Sequence, residues 1–325
     1  MAKVTQLKYE NIHRVRTHLY DNQLWTKNDL ARQTGISPAS MTTILQDMVK
    51  SGEVDYIGDA PSTGGRKSKQ YRLNPDYVHF GLMVLQTWSD HEVLKVMIMS
   101  LAGNILNEDV YRESHLTLDD VFKGADQIQK DQKVESLIIS IPGVATNGFI
   151  SISDVVSLRN VDLGQLIKER YGWQCHIEND VNIACIGFGD HYSGEQKALI
   201  YQPERDYVGC GIMIDGKLYN GAHHFAGELS YLPLMSRPQQ KALLKEDPLS
   251  LLQIYIGMLS CVIDPELIGV YSEVVHDLKE DDLLRNTQEG YQPRCVILAD
   301  FQSYLYQGLY AIGKQVNLER MKENE

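Results

Sequence analysis

Between residues 26 and 73 the chain has the order of two short helices around a glycine turn followed by a basic hairpin, and few folds accommodate that order. Thr26 stands where an N-cap accepts from the first turn, and Asp29 faces the positive end of the helix that follows. Leu30 and small Ala31 give that helix a buried face, and Gln33 closes it. In Thr34-Gly35-Ile36, Gly35 permits a left-handed turn and Ile36 tucks inward. Ser37 caps the next helix and Pro38 takes its first position, where a missing N–H costs nothing. Met41, Ile44, Leu45 and Met48 then recur at helical spacing, leaving Ser37, Ala39, Ser40, Thr42, Thr43 and Gln46 on the opposite face. Those side chains are small or polar enough to approach base edges in a major groove.

Two alternating segments, 54–57 and 69–73, predict a hairpin whose loop carries Gly64-Gly65-Arg66-Lys67. An arginine on a glycine tip reaches a narrow minor groove, while Lys67 and Lys69 neutralise phosphates. A helix pair alone is also a common corner of globular proteins. The basic wing after it favours a winged helix-turn-helix and a double-stranded DNA operator. Ile12, Val15 and Leu19 supply a preceding helix over about 8–20, read as packing.

Charge is divided accordingly. Residues 1–76 hold 11 Lys and Arg against 8 Asp and Glu, and the remainder holds 20 against 35. An acidic body is repelled by DNA, which confines nucleic-acid contact to the first 76 residues. Asn74-Pro75 is a breaker, so the domain boundary is placed there, giving 1–76 as the DNA-binding domain and 77–325 as a second unit. Five cysteines without C-x-x-C or a histidine at ligand spacing suggest neither disulfides nor a metal site, and a reducing cytoplasm is expected. The N-terminus lacks an apolar leader and no apolar run approaches membrane-spanning length, so no membrane partner is expected.

After residue 77 the pattern changes to strands at 79–87, 94–100 and 103–113, a helix near 117–130 and a strand at 136–141. That is an α/β order. A helix near 163–170 leads to a strand at 175–177 that runs into Glu178-Asn179-Asp180, with a helix over 181–188 after it. The acidic triplet thus lies at the carboxyl end of a strand, where open α/β sheets hold ligands. Further strands are expected at 198–201 and 208–214, with Asp215-Gly216 as a type I′ turn into residues 217–219. Helices over 249–262 and 299–320 bracket a strand at 267–271.

Ile141-Pro142-Gly143, Ile177-Glu178-Asn179-Asp180-Val181-Asn182, the stretch 209–216, Gly221 with Phe225-Ala226-Gly227-Glu228, and Ile263-Asp264-Pro265-Glu266 together resemble the ROK family of repressors, open reading frames and sugar kinases. The resemblance implies an actin-like, sugar-kinase-like body of two α/β lobes around a cleft, behind the winged helix-turn-helix. It also implies that Asp180 matches the kinase base, that Asn179 and Glu228 hold sugar hydroxyls, and that Tyr231 stands where the family has a sugar-contacting, zinc-binding histidine. Carboxylates and amides supply the paired hydrogen bonds a polyol offers.

Three departures accompany it. The family's Asp-x-Gly-Gly-Thr phosphate loop is Met83-Val84-Leu85-Gln86-Thr87 here; Glu-x-Gly-His is Glu228-Leu229-Ser230-Tyr231; and residues 235–247 contain no cysteine for zinc. Side chains at 85 and 86 obstruct the close approach of phosphate that glycine permits. No metal or cofactor and no kinase activity are therefore expected. The expected protein is a bacterial transcriptional regulator, a repressor of carbohydrate-related genes and a homodimer, controlled by a sugar in Asn179, Asp180, Glu228 and Tyr231. The alternatives are a sugar kinase with a DNA-binding module, and a constitutive or protein-gated regulator with a vestigial sugar site. Asp180 has a second possible role, as the N-cap of the helix it precedes. His223 and His224 are read as loop residues, and Trp88, Trp173 and Tyr207 as packing.

Arg66→Ala should weaken operator binding, checked by titration at physiological salt. Unchanged affinity would remove the wing from DNA recognition.

Overall fold

The computed structural model describes residues 2–59 and 68–323, with side chains from 7 to 322. In the N-terminal head, α1 (Ala2–Leu19), β1 (Trp25–Thr26), α2 (Lys27–Thr34) and α3 (Pro38–Ser51) precede the hairpin β2 (Val54–Asp59) and β3 (Lys69–Leu73). The expected caps form. Thr26 accepts from Asp29 N–H at 3.2 Å, Ser37 accepts from Ser40 N–H at 3.2 Å, and Gly35 is left-handed at φ 70°. Helix α1 is longer than the apolar spacing predicts, and β1, which pairs with β3 to give the order β1-β3-β2, is an addition. Leu30, Met41, Leu45, Val54 and Leu73 form the head's core. Arg16 on α1 donates through Nε and NH2 to Glu53, both side chains being buried, so α1 is tied to the turn before β2. A buried carboxylate–guanidinium pair of this kind fixes an orientation more than it adds stability.

The first lobe of the body contains β4 (His79–Thr87), β5 (Glu92–Ser100), β6 (Ile105–Glu113), α4 (Leu118–Ile128), β7 (Val134–Ile141), β8 (Gly143–Thr146), β9 (Phe149–Ser153), β10 (Val161–Asp162), α5 (Leu163–Tyr171) and β11 (Gln174–Asn179). Its main sheet runs β11-β7-β4-β5-β6, with β11, β7 and β4 parallel and the β4-β5-β6 meander antiparallel. The strands buried on both faces carry nearly unbroken apolar runs, as parallel strands between helices do. The small antiparallel sheet β10-β9-β8 was not expected. Its strands are too short and too irregularly buried to leave a period of two.

Helix α6 (Asp180–His191) leads to the second lobe: β12 (Lys197–Gln202), β13 (Gly209–Ile214), β14 (Lys217–Leu218), α7 (Arg237–Glu246), α8 (Pro248–Val262), β15 (Leu267–Ser272), α9 (Glu280–Leu283), β16 (Arg294–Ile297) and α10 (Phe301–Glu323). Its sheet runs β14-β13-β12-β15-β16, with β12, β15 and β16 parallel. Asp215 and Gly216 both have positive φ, as the type I′ turn requires. Helix α7 and strand β16 were not expected. The former is mostly polar and the latter only four residues long.

One apolar cluster lies under the first lobe and another under the second, while a third runs through α6 and α10 into the head. Helix α10 packs on α6 at backbone contact. A Cβ on Gly308 would stand 1.8 Å from the Ile183 carbonyl oxygen, and one on Gly187 would stand 2.1 Å from that of Tyr304. Farther along, Gly313 lies against Phe80, Asn317 accepts from Ser136 at 3.2 Å, and Met321 reaches Tyr20. The same helix thus touches the second lobe's end, the first lobe's sheet and the N-terminal head.

Gly308→Ala should part α6 and α10 and lower stability by about 1–3 kcal/mol, the usual cost of overpacking. A denaturant midpoint equal to that of the native chain would show that the helices can separate freely.

Candidate functional site

Two surfaces answer to the expected residues, the exposed face of α3 and the cleft between the lobes. On α3, Ser37, Ala39, Ser40, Thr43 and Gln46 are exposed and Thr42 is half-buried. Several hydroxyls are already engaged. Ser37 caps the helix and donates to Ser40 Oγ at 3.0 Å, and Thr42 donates to the Pro38 carbonyl at 2.7 Å. Lys27, the first residue of α2, donates to Thr42 Oγ1 at 3.2 Å. Gln46 makes no hydrogen bond among the described residues, and a free carboxamide pairs in bidentate fashion with adenine. Ala39, Ser40 and Gln46 are therefore the side chains best placed to meet base edges. Lys27 is a basic neighbour that the sequence pattern did not single out. Lys69 is exposed at the start of β3, its ammonium 5.1 Å from the Tyr56 ring centre. Arg66 and Lys67 lie outside the described residues.

The cleft holds about 380 Å³ of space open to solvent and is lined by both lobes, including Gly143, Glu178, Asn179, His224, Gly227 and Glu228. Asn179 ends β11 and caps α6: its Oδ1 accepts from Val181 N–H at 2.9 Å and Asn182 N–H at 3.1 Å, and its Nδ2 donates to the Gly143 carbonyl at 3.1 Å. The cap role considered for Asp180 belongs to Asn179, whose amide shapes the cleft floor. Asp180, half-buried as the first residue of α6, accepts from Val181 N–H at 2.9 Å through Oδ1.

Glu178 is the site residue that the sequence reading left without a role. It is 7 % exposed and faces three donors. Oε1 accepts from Asn179 N–H at 2.8 Å and Asn182 Nδ2 at 3.0 Å, while Oε2 accepts from Asn220 Nδ2 at 3.0 Å. It thereby ties the first lobe's last strand to the second lobe's ligand loop, a contact across 42 residues that no local pattern announces.

In that loop, Gly227 has φ 89° and a Cβ there would stand 1.9 Å from the Cys210 carbonyl oxygen, so the backbone itself packs on β13 and turns Glu228 toward the cleft. His224 also lines the cleft. Tyr231, by contrast, sits on the rim, 47 % exposed, its ring 5.0 Å from Phe225 and 4.9 Å from the Arg237 guanidinium. Arg237 also lies 4.0 Å over Tyr207. Gln240 donates to the Ser230 and Met235 carbonyls and accepts from Tyr255 at 2.9 Å. A cation between two tyrosine faces and a buried carboxamide thus hold this loop.

Electrostatically the cleft is acidic. Desolvation pushes the Asp180 carboxyl up to about 7, with Asp154 and Glu228 adding to the rise and the Val181 N–H opposing it. Desolvation, reinforced by Asp154, also raises Glu228, while Arg237 opposes. Asp154, after β9, is raised by desolvation and by Asp206. Both Asp154 and Asp180 keep solvent contact, so their concave surroundings raise them without excluding water. Around neutral pH Asp180 exchanges donor and acceptor character, which suits a ligand hydroxyl.

The architecture is thus a winged helix-turn-helix head on a two-lobed α/β body with a polar interlobe cleft. Residues 93–242 match the ROK family model and form a ROK family domain. Similar proteins include a xylose repressor of Caldicellulosiruptor bescii, 24% identical over 71% of this chain and 60% of its own length. The DNA-binding transcriptional dual regulator NagC of Escherichia coli is 20% identical over 62% of this chain and 52% of its own. The chain therefore matches between half and two thirds of the length of these curated relatives. Among solved structures, a ROK family transcriptional regulator homologous to the E. coli MLC protein superposes with TM-score 0.72 at 15% identity, over 98% of this chain and 100% of that one. A putative N-acetylmannosamine kinase of Listeria monocytogenes gives 0.57 at 16%, over 71% and 98%. At those identities the likeness is one of fold.

Asp180→Asn should flatten part of the stability–pH profile. Below the ordinary carboxylate range both states hold the Asp180 proton; as pH rises toward about 7 the unfolded chain releases it first, so folding loses stability over that interval. Melting temperatures from about pH 4.5 to about pH 7.5 should therefore fall less in the variant. Parallel profiles for the two proteins would contradict the raised carboxyl.

Proposed function

We propose that this protein is a DNA-binding transcriptional regulator, acting as a repressor of carbohydrate-related genes, whose operator affinity is set by a sugar or sugar derivative in the interlobe cleft. The observation that carries the reading is the unbroken packing from cleft to head. Asp180 opens α6, α6 lies on α10 at backbone contact, and α10 reaches the winged helix. There Asn22 donates to Tyr310 Oη at 2.6 Å, and Tyr310 donates to the Leu101 carbonyl at 2.9 Å. A ligand that binds the two lobe arrangements unequally shifts the position of α6, and α10 carries that shift to α1. The names of the relatives, repressors of xylose and N-acetylglucosamine genes among them, support the same reading.

The reading does not include sugar phosphorylation. Strand β4 continues, paired with β5, through Gln86 and Thr87, opposite Val93 and Glu92, and supplies neither the glycines nor the acid that a phosphate-binding loop would need there. The described residues contain no helix long and apolar enough to cross a membrane. A cytoplasmic homodimer reading a two-fold operator, with half-sites about one DNA turn or a multiple apart, completes the proposal.

The test is a thermal-shift panel of sugars, sugar phosphates and magnesium ATP, followed by operator titration with the sugar that binds. Asp180→Ala should abolish the sugar's effect on operator affinity while leaving DNA binding intact. Transfer of phosphate from ATP to a sugar would replace this reading with a kinase, and loss of DNA binding in Asp180→Ala would make Asp180 a structural residue.

A further inference from the structure

The parallel strands of both lobes end on the cleft. In the first lobe, β4, β7 and β11 end at Thr87, Ile141 and Asn179; in the second, β12 and β15 end at Gln202 and Ser272. Ligands of open α/β sheets bind off such carboxyl ends. At two of them the chain places aromatic rings that the hydrophobic cores do not fully absorb. Trp88 follows β4 directly, 57 % exposed, in a tight turn where its N–H donates to the His91 carbonyl at 2.8 Å and its ring stacks on His91 at 6.2 Å. In the other lobe Tyr201 and Tyr271, register partners on adjacent strands, lie 5.8 Å apart with planes 2° from parallel, and Phe301 closes on them at 4.6 and 5.8 Å. Tyr201 is fixed by its hydroxyl, which donates to Glu273 at 2.8 Å, whereas the Tyr271 hydroxyl makes no hydrogen bond among the described residues.

These groups border one cleft. Tyr201 pairs with Gly209, which lines it, and β4 lies beside β7, whose end runs into the cleft's Gly143. Arg205, in the turn between β12 and β13, adds a weak electrostatic pull on Asp90 in the Trp88 turn. The surrounding charge selects the ligand. Asp90, Asp180, Glu273 and Asp300 stand there with Arg205 facing them, so a phosphate chain is repelled while an uncharged polyol is not. A flat ring face bordered by carboxylates and a free phenol suits a pyranose, which offers a C–H face to stack and hydroxyls at its edge.

We propose that the Trp88 turn and the Tyr201–Tyr271–Phe301 cluster form a second carbohydrate subsite, which takes the outer ring of a disaccharide whose inner ring lies at Asp180 and Glu228. This deepens the sugar-gated reading and rests on it. In a two-ring ligand, the outer ring contributes affinity by stacking and covers Trp88 from water.

The full chain is titrated calorimetrically, with tryptophan emission recorded, against xylose, glucose and N-acetylglucosamine and against their β-1,4-linked dimers xylobiose, cellobiose and N,N′-diacetylchitobiose. One dimer should bind at least about tenfold tighter than its monosaccharide and shift the emission to shorter wavelength. Trp88→Ala, at an exposed position, should remove the gain and the spectral change while leaving the monosaccharide Kd within about twofold. Tyr271→Ala, from the opposite lobe, should remove the gain as well. A dimer that binds no tighter than its monomer overturns the subsite alone, as does a gain that survives both substitutions. Binding of none of the six sugars overturns the subsite together with the sugar-gated reading, and magnesium ATP binding that Trp88→Ala abolishes reassigns the region to a nucleotide.

Discussion

The contact between α6 and α10 is the constraint on which the other features depend. Two helices whose glycines admit the opposing carbonyl oxygens approach more closely than side-chain packing allows, and such an interface has little room to slide. Because α6 starts at the cleft and α10 spans both lobes before meeting the head, the closeness decides where the acidic site and the head stand relative to one another. A looser pair would bury similar apolar area yet let the two ends move independently. The head is also held by polar contacts, with Asn22 donating to Tyr310 Oη and to the Leu101 carbonyl. Directional contacts of this sort select among docking geometries, where apolar packing alone tolerates several.

How much of this was legible in the sequence depends on the range of the forces involved. The helix-turn-helix was readable because caps, the left-handed turn and helical spacing act within a few residues: Thr26, Gly35, Ser37 and Pro38 do in the structure what their chemistry predicts. Strands β4, β7 and β12 were readable as apolar runs. Strands β8 to β10 were not, since pairs and quartets of residues at the edge of the cleft carry no period. The polar face of α7 hid it for a similar reason, although Ser236 and Gln239 form a capping box that could have marked its start.

The cleft was legible in its residue types and less so in their duties. Asn179 and Asp180 were both expected on the ligand, but the geometry divides them: the amide is occupied by α6 and Gly143, and the carboxylate keeps an oxygen without a hydrogen-bond partner among the described residues. Glu178 had the least conspicuous signal and holds the lobes together. A buried carboxylate with three donors and no cation gains from hydrogen bonds what it lacks in ion pairing, and only long-range placement of Asn220 makes that arrangement possible. Likewise the hydroxyls of α3 looked equivalent in sequence, and the helix itself engages Ser37 and Thr42, leaving Ala39 and Gln46 as exposed side chains without hydrogen-bond partners among the described residues.

The rim loop shows how several weak contacts can fix one short segment. Arg237 lies between Tyr207 and Tyr231, Phe225 leans on Tyr231, and Gln240 gathers the Ser230 and Met235 carbonyls from beneath. Each contact is worth on the order of 1 kcal/mol, less than a metal ligand, but they converge on one short segment. Their sum holds Glu228 toward the cleft while leaving the rim able to adjust, because a guanidinium slides over a ring face where a tetrahedral ion would lock it. That compliance fits a protein that must change lobe arrangement on binding better than one that must hold a reacting phosphate still. Arg237 also opposes the raised carboxyl of Glu228, so the residue that fixes the loop tunes the charge it presents.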